Sequence, residues 1–254
     1  IYGSSNNGFG TDGSDIDLCL IDPSIDREKI MEIADEVAAI LEEMHMEEID
    51  KSRLHARIPV IRFEDPVTHI QSDLCFNNIL PIRNTLLLKT YSFIDPRVLI
   101  LGSMPSEASL KAGAYYAHPR NRFWPVMGEL LGFAPDSPYA ERIQALKDHR
   151  IALWDTIGSC ERTGSLDSAI LRPEVNPLGD FLAAHSGIRL VCLNGSMSEK
   201  MWRTFALPQI DESQRASIRA LRMPSTSPAN ARWRLEDLAR VWGDALLPML
   251  SPGL

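Results

Sequence analysis

Two sets of residues in this chain have the types and spacing that chemistry requires. In the first, Asp15 and Asp17 stand two apart, so on a strand both carboxyl groups leave the same face. A later run, Gln71-Ser72-Asp73-Leu74, offers a third acid. Three carboxylates at one edge could clamp divalent cations between an attacking hydroxyl and a triphosphate. Gly3-Ser4, with Gly8 and Gly10 behind it, can turn backbone N–H groups and a hydroxyl toward phosphate oxygens. An isolated Asp-x-Asp is common on solvated strands. The Gly-Ser pair ahead of Ser14-Asp15-Ile16-Asp17-Leu18 makes this one specific.

The second set lies further on: Gly102-Ser103-Met104-Pro105, then Tyr115-Tyr116-Ala117-His118-Pro119-Arg120-Asn121-Arg122-Phe123-Trp124, Asn194-Gly195, and Pro224-Ser225-Thr226-Ser227-Pro228. Cutting an N-glycosidic bond in DNA needs the nucleotide flipped out of the stack and held on an aromatic face. A polar group must read the base edge and another must position water. Preorganised donors then stabilise the departing base. Each fragment has an ordinary structural explanation as well. Phe123 or Trp124 suits a core, His118 a structural hydrogen bond, Asn194-Gly195 a strand-end turn, and Pro224–Pro228 a plain loop. Their order on successive strand ends favours the chemical reading.

The elements that must position these residues follow from hydrophobic spacing. Ser14–Ile21 reads as a short strand. Ser24 is placed to cap a helix whose apolar face is Ile30, Ile33, Val37, Ile40, Leu41 and Met44. Strand-like runs at 56–63 and 68–76 flank a Glu-Asp-Pro turn, and a helix over 84–94 stops at Asp95-Pro96. From residue 97 the pattern alternates. Apolar strands at 98–101, 151–154, 188–193 and 218–223 are spaced by helices at 122–131, 139–148, 178–185 and 196–205, with a last helix at 234–247. Such alternation predicts a parallel α/β sheet with its site at the strand C-termini.

Composition narrows the classes. Apolar residues are 44% and charged residues 24%, as in an ordinary globular protein. No apolar run is long enough for a membrane span, which predicts no membrane partner. The four cysteines form no C-x-x-C pair, so a zinc or iron–sulfur site is not expected, and their apolar settings read as thiols of a reducing, intracellular compartment. Residues 1–98 hold 9 basic against 18 acidic side chains, a net of −9, whereas residues 99–254 hold 17 against 16, a net of +1. That second stretch carries 14 Arg and 3 Lys, a bias suited to bidentate phosphate contacts. The start without Met reads as a fragment or cropped chain.

Two family resemblances attach to these motifs. Residues 1–98 resemble the palm of cytoplasmic poly(A) or poly(U) polymerases of the nucleotidyltransferase superfamily. The likeness runs through Tyr-Gly-Ser-Ser-Asn-Asn-Gly-Phe-Gly, Ser-Asp-Ile-Asp-Leu-Cys-Leu, Ala-Arg-Ile-Pro-Val-Ile-Arg-Phe and Asp-Leu-Cys-Phe-Asn-Asn-Ile-Leu-Pro-Ile-Arg-Asn-Thr. It implies Asp15, Asp17 and Asp73 as ligands of Mg²⁺ or Mn²⁺, and Gly3 and Ser4 as nucleotide-binding residues. RNA and a nucleoside triphosphate would be the partners. The helical sequence flanking this palm in the family is missing, so the expectation is an incomplete α+β palm that is inactive or serves as an interaction module, with a metal-dependent RNA 3′-terminal nucleotidyltransferase (poly(A) or uridylyl polymerase) as the alternative.

Residues 95–254 are similar to hypoxanthine-DNA (deoxyinosine) glycosylases of the uracil-DNA glycosylase superfamily. The likeness runs through Val-Leu-Ile-Leu-Gly-Ser-Met-Pro, the Tyr115–Trp124 run, Leu-Trp-Asp, Gly164-Ser-Leu-Asp167, Leu-Asn-Gly and Pro-Ser-Thr-Ser-Pro-Ala-Asn-Ala. It implies an α/β, three-layer domain with a short parallel sheet, acting as a monomer on damaged DNA in the cytoplasm, nucleoid or nucleus. By this resemblance Asn121 orients water, His118 donates to the leaving base, and Phe123, Asn194 and Tyr116 bind the base. Ser103, Ser225 and Ser227 would hold DNA phosphates. The activity implied is metal-independent, monofunctional base excision, with hypoxanthine as substrate and uracil as a second candidate. The expected domains are 1–94 and 95–254. The linker-free seam at Asp95–Val98 predicts a chimeric or misassembled join.

Overall fold

A computed structural model describes residues 15–22, 24, 27–55, 59–77, 82, 85, 87–88, 90–91 and 94–250. The chain forms two compact units, Ile1–Lys89 and Thr90–Leu254. In the first unit, β1 (Ile16–Leu20), α1 (Arg27–Glu43), β2 (Glu47–Asp50), β3 (Val60–Glu64) and β4 (Gln71–Phe76) follow in order. The strands make a four-stranded sheet ordered β1-β4-β3-β2. β1 runs parallel to β4, and the other pairs are antiparallel.

α1 buries Ile30, Ala34, Ala38 and Leu41, the i, i+4 stripe of a helix lying on a sheet. Ile61, Phe63 and Phe76 meet part of that stripe, with Ile33 and Val37 at its margin. Ile40 and Met44, expected on the same face, are 54% and 58% exposed. The residues between Ser24 and α1 lie outside the described ones, so its expected cap is not tested. The Ser24 hydroxyl and N–H both donate to Asp22 Oδ1, at 2.6 and 2.8 Å, an Asx-type turn.

The second unit contains β5 (Val98–Gly102), α2 (Glu107–Ala112), α3 (Phe123–Leu131), α4 (Tyr139–Asp148) and β6 (Ile151–Asp155). A hairpin of β7 (Ile157–Glu161) and β8 (Leu171–Val175) comes next, then α5 (Leu178–Ala184), β9 (Leu190–Asn194), α6 (Ser196–Met201), α7 (Glu212–Ser217), β10 (Arg219–Met223) and α8 (Leu235–Leu250). Its main sheet is parallel throughout, in the order β10-β9-β5-β6. All residues of β5, β6 and β9 are buried. Only a sheet covered on both faces produces such strands, as the continuous apolar runs indicate. The polar β7–β8 hairpin and the six-residue α2 lack a periodic apolar signal and were not expected from the sequence.

β6 is an edge strand, and an edge leaves backbone groups unpaired. The fully buried Tyr91 answers this. Its hydroxyl accepts from Leu153 N at 2.7 Å and donates to Leu153 O at 3.0 Å. Replacing Tyr91 by Phe strands both backbone groups without water. The Tyr91→Phe protein should lose about 2–4 kcal/mol of stability, read as a lower urea midpoint for the second unit; an unchanged midpoint would show that the edge finds other partners.

Candidate functional sites

The C-terminal edge of the parallel sheet gathers the second motif set. Gly102, Asp155 and Asn194 end β5, β6 and β9, and Pro224–Pro228 follows β10. Two tryptophans tie the flanking helices to the loops: Trp124 Nε1 of α3 donates to Tyr115 O at 2.8 Å, and Trp242 Nε1 of α8 donates to Pro224 O at 3.2 Å. Gly195 at φ +100° lets the chain turn out of β9, and a Cβ there would sit 3.0 Å from Ser225 Cβ.

Asn194 is buried and both of its amide donors are engaged. Nδ2 donates to Tyr116 Oη at 3.1 Å and to Thr226 Oγ1 at 3.0 Å, while Oδ1 accepts from Thr226 N at 3.0 Å. It stitches three segments together and has no spare donor for a base edge in this arrangement. Arg122 completes the stitching. Its guanidinium donates to the carbonyls of Ser227, Asn230 and Trp233, and its N–H donates to Thr226 O. Five donors in a rigid fork suit a residue that must gather carbonyls.

Phe123, expected to stack on a base, is fully buried. Tyr116 covers one face of it with ring centroids 4.0 Å apart, and Trp124 and Trp242 meet it edge-on. The aromatic surface left at the site is therefore that of the half-buried Tyr116, whose backbone is held at φ 53°. Residues with side chains visit that left-handed region at a cost, and such strain collects at working sites. Asn121 Oδ1 accepts from Phe123 N at 2.9 Å, an Asx turn just ahead of α3 that fixes the amide's direction. His118 Nδ1 lies 3.1 Å from Arg120 N and accepts from it. The neutral ring must then carry its proton on Nε2, leaving that nitrogen as a donor.

Ser225 Oγ accepts from Ser227 N at 3.2 Å, and Ser227 Oγ accepts from Ala229 N at 3.3 Å. With acceptor positions used inward, both hydroxyls can donate outward, as a phosphate oxygen requires. Ser103 differs. Its hydroxyl donates to Asp167 Oδ1 at 2.7 Å, which sets a carboxylate where a phosphate was expected.

Asp155 is the residue that sequence reasoning missed. It is 4% exposed, and its Oδ2 has no hydrogen-bond partner. Burial, opposed by the Arg162 guanidinium and reinforced by Asp167, pushes its carboxyl up to about 7. Tyr115 Oη tempers that shift but stands outside hydrogen-bonding geometry. The last residue of an apolar strand reading Leu-Trp-Asp looks like a strand terminus, so only the fold reveals it as a buried acid.

In the first unit Asp17 lies opposite Asp73 across the parallel β1–β4 pair. Burial, then Asp73, then Asp15 push the Asp17 carboxyl up to about 6. Arg62 grips Asp73 through two bonds, Nε to Oδ1 at 2.9 Å and Nη2 to Oδ2 at 3.3 Å. Among the described residues no three His, Cys, Asp or Glu side chains form a group that could hold a metal ion. The carboxylates crowd one another as metal ligands do, yet Asp73's countercharge is supplied by Arg62. In this arrangement the set does not fit a metal clamp. Gly3 and Ser4 lie outside the described residues.

Comparison with known proteins matches each unit to a different family. The model for the "Uracil DNA glycosylase superfamily" matches residues 88–246, more than half of the chain. The chain belongs to the uracil DNA glycosylase superfamily. Residues 1–93 match the central palm domain of the mitochondrial-like poly(A) RNA polymerases. A hypoxanthine DNA glycosylase of Methanosarcina acetivorans is 38% identical over 102 residues, which cover 40% of this chain and 65% of that protein. The match thus spans just under two thirds of that relative's length. A poly(A) RNA polymerase of Danio rerio is 40% identical over 100 residues, 38% of this chain and 20% of that protein. A solution structure from Methanosarcina acetivorans aligns with a TM-score of 0.47 at 30% identity, covering 59% of this chain and 91% of that one. The α/β fold with its short parallel sheet and the N-terminal palm unit agree with the sequence expectation.

Two expectations follow for this glycosylase-superfamily unit. Asn194→Ala should lower the melting temperature as well as any activity, because it removes three bonds and leaves Thr226 N–H buried and unpaired; a variant that keeps the parent's melting temperature would return Asn194 to a base-reading role. Asp155 is ordinarily an acid of pKa 3.8, and folding raises it. Its ionisation therefore opposes folding progressively between about pH 4 and pH 7, and fully above pH 7. Asp155→Asn should match the parent near pH 4 and exceed it by about 2–4 kcal/mol at pH 8, measured by urea unfolding across that range.

Proposed function

We propose that the second unit is a monofunctional DNA glycosylase that hydrolyses the N-glycosidic bond of a deaminated base, with hypoxanthine as the leading substrate. One observation carries this reading. The superfamily match coincides with a sheet edge where Tyr116, His118 and Asn121 on the loop before α3 meet Ser225 and Ser227 on the loop after β10. The hypoxanthine DNA glycosylases among the relatives supply the substrate class. DNA would be held by outward hydroxyls at Ser225 and Ser227, with the flipped base against Tyr116. The Asn121 amide would orient the attacking water, and His118 Nε2–H would meet negative charge developing on the leaving base. None of these steps uses a metal or a lysine nucleophile.

The palm match supports a second reading for the first unit: binding of a nucleoside triphosphate or RNA. Asp17 and Asp73 are the residues on which it would centre. Primer extension assayed with each nucleotide, in Mg²⁺ and in Mn²⁺, decides whether transfer accompanies binding.

The full chain should release free hypoxanthine from deoxyinosine-containing duplex DNA in the presence of EDTA, leaving an alkali-labile abasic site. Asn121→Ala should slow release by about 100-fold or more. An unchanged rate removes Asn121 from the mechanism, and no release from any deaminated base overturns the glycosylase reading.

A further inference from the structure

We infer that the parallel sheet carries a second nucleic-acid surface, at the edge opposite the candidate site. Arg97, Arg150, Arg189 and Arg219, one at the head of each strand, hold the phosphodiester backbone of a separate nucleic-acid segment. The inference goes beyond the glycosylase reading, because none of these residues belongs to the motifs that reading uses.

Parallel strands all begin at one edge, and every strand of this sheet is headed by an arginine. Arg97, Arg150 and Arg189 immediately precede β5, β6 and β9, and Arg219 opens β10. A chain of backbone bonds joins them across the sheet. Arg97 N donates to Arg150 O at 2.9 Å, Arg189 N to Arg97 O at 2.9 Å, and Arg219 N to Arg189 O at 2.8 Å. Their order in space is therefore Arg150, Arg97, Arg189, Arg219, which is the strand order read from β6 to β10. Neighbouring strands lie about 4.8 Å apart, so the row is about 14 Å long. Strands of five residues place it about 16 Å from the strand C-termini.

The row is charged and open. Arg150, Arg189 and Arg219 are exposed, and Arg97 is half-buried. Among the described residues, Asp95 is the carboxylate within ion-pair range of the row, 3.9 Å from Arg150 Nη1 and itself on the surface. Four guanidiniums thus meet one acid. Part of this charge serves the fold. Arg189 Nη1 donates to the carbonyls of Ser186 and Ile188, where a basic group complements the end of α5. That need does not explain Arg150. It follows the C-cap of α4 at φ 57°, the left-handed position that glycine usually fills. The chain accepts a strained backbone there and keeps a guanidinium at the surface.

Spacing and residue type favour nucleic acid over an acidic peptide. One strand of a duplex presents a phosphate about every 3.4 Å of helix axis, so the length of the row meets about four. An extended peptide turns alternate side chains to one face, about 6.6 Å apart, and offers about two carboxylates over the same length. Every member of the row is arginine, whose planar fork matches two phosphate oxygens and whose charge is weakly hydrated. Contacts of this kind ignore base sequence. A protein with phosphate contacts at both edges of one sheet bridges two nucleic-acid segments.

The test uses the full chain and short undamaged DNA duplexes. Affinity is measured by fluorescence anisotropy over a series of salt concentrations, and bridging by energy transfer between donor-labelled and acceptor-labelled duplexes. Arg150→Gln/Arg219→Gln removes both ends of the row and leaves its backbone bonds intact. It should lower the slope of log affinity against log salt by about 2 and abolish bridging. Arg150→Lys/Arg219→Lys keeps the charge and should keep the parent's slope. A glutamine variant with the parent's slope, or a lysine variant as impaired as the glutamine one, overturns the inference. So does a parent that binds poly-glutamate more tightly than duplex DNA, which assigns the row to an acidic protein. Hypoxanthine release from deoxyinosine DNA is followed in parallel. A parent that releases the base but does not bridge overturns the separate segment. A parent that neither releases nor bridges rejects the glycosylase reading, and the salt slope then decides the row by itself.

Discussion

The amide of Asn194 is the constraint on which the sheet edge depends. A single planar group satisfies the hydroxyl of Tyr116, the hydroxyl of Thr226 and the backbone of Thr226 at once. Because an amide's donors and acceptor point in fixed directions, these bonds set the distance between the Tyr116 loop and the Ser225–Ser227 loop. Arg122 repeats the tactic from the other side, gathering carbonyls that would otherwise face each other unpaired. Buried polar networks of this kind define a unique arrangement only when every member is satisfied. Beside it the Asp155 carboxyl oxygen, the Tyr115 hydroxyl and Arg162 Nε are left without a hydrogen-bond partner.

That contrast separates two uses of polarity in the same few ångströms. Asn194, Thr226 and Arg122 stabilise the scaffold, and both N–H donors of the Asn194 amide are spent in doing so. Asp155 and the Tyr116 backbone are held in states that the isolated residues would avoid, and they persist because the network and the packed strands beneath over-determine them. The first unit shows the opposite resolution. Asp17 is crowded by like charges, but Asp73 has found a guanidinium opposite it on β3. One sheet therefore leaves its buried acid unanswered and the other answers it within the chain.

Hydrophobic spacing along the chain made the parallel sheet legible. α4 begins and ends where its amphipathic pattern does, and the apolar runs over β5, β6 and β9 lie where the strands form. The β7–β8 hairpin was hidden because its residues are mostly exposed and its pairing is irregular. Motif order located the right loops but misjudged individual side chains. Phe123 and Tyr116 carry the same aromatic signal, and only the fold decides which covers the other. Asn194 looked available because one-dimensional reading cannot count the partners that converge on it. Periodicity reports which way a residue faces; it says nothing of what stands opposite.

The hydroxyl of Tyr91 has a consequence for how this molecule may be divided. The motifs of the second unit begin after residue 95, and a piece cut there would retain every strand of the parallel sheet. It would lack the group that closes Leu153's backbone on β6. An uncovered edge presents ready-made pairing positions to a second chain. Such a fragment would keep its chemistry and lose its solitude, associating strand to strand where the longer piece, beginning at Thr90, remains sealed.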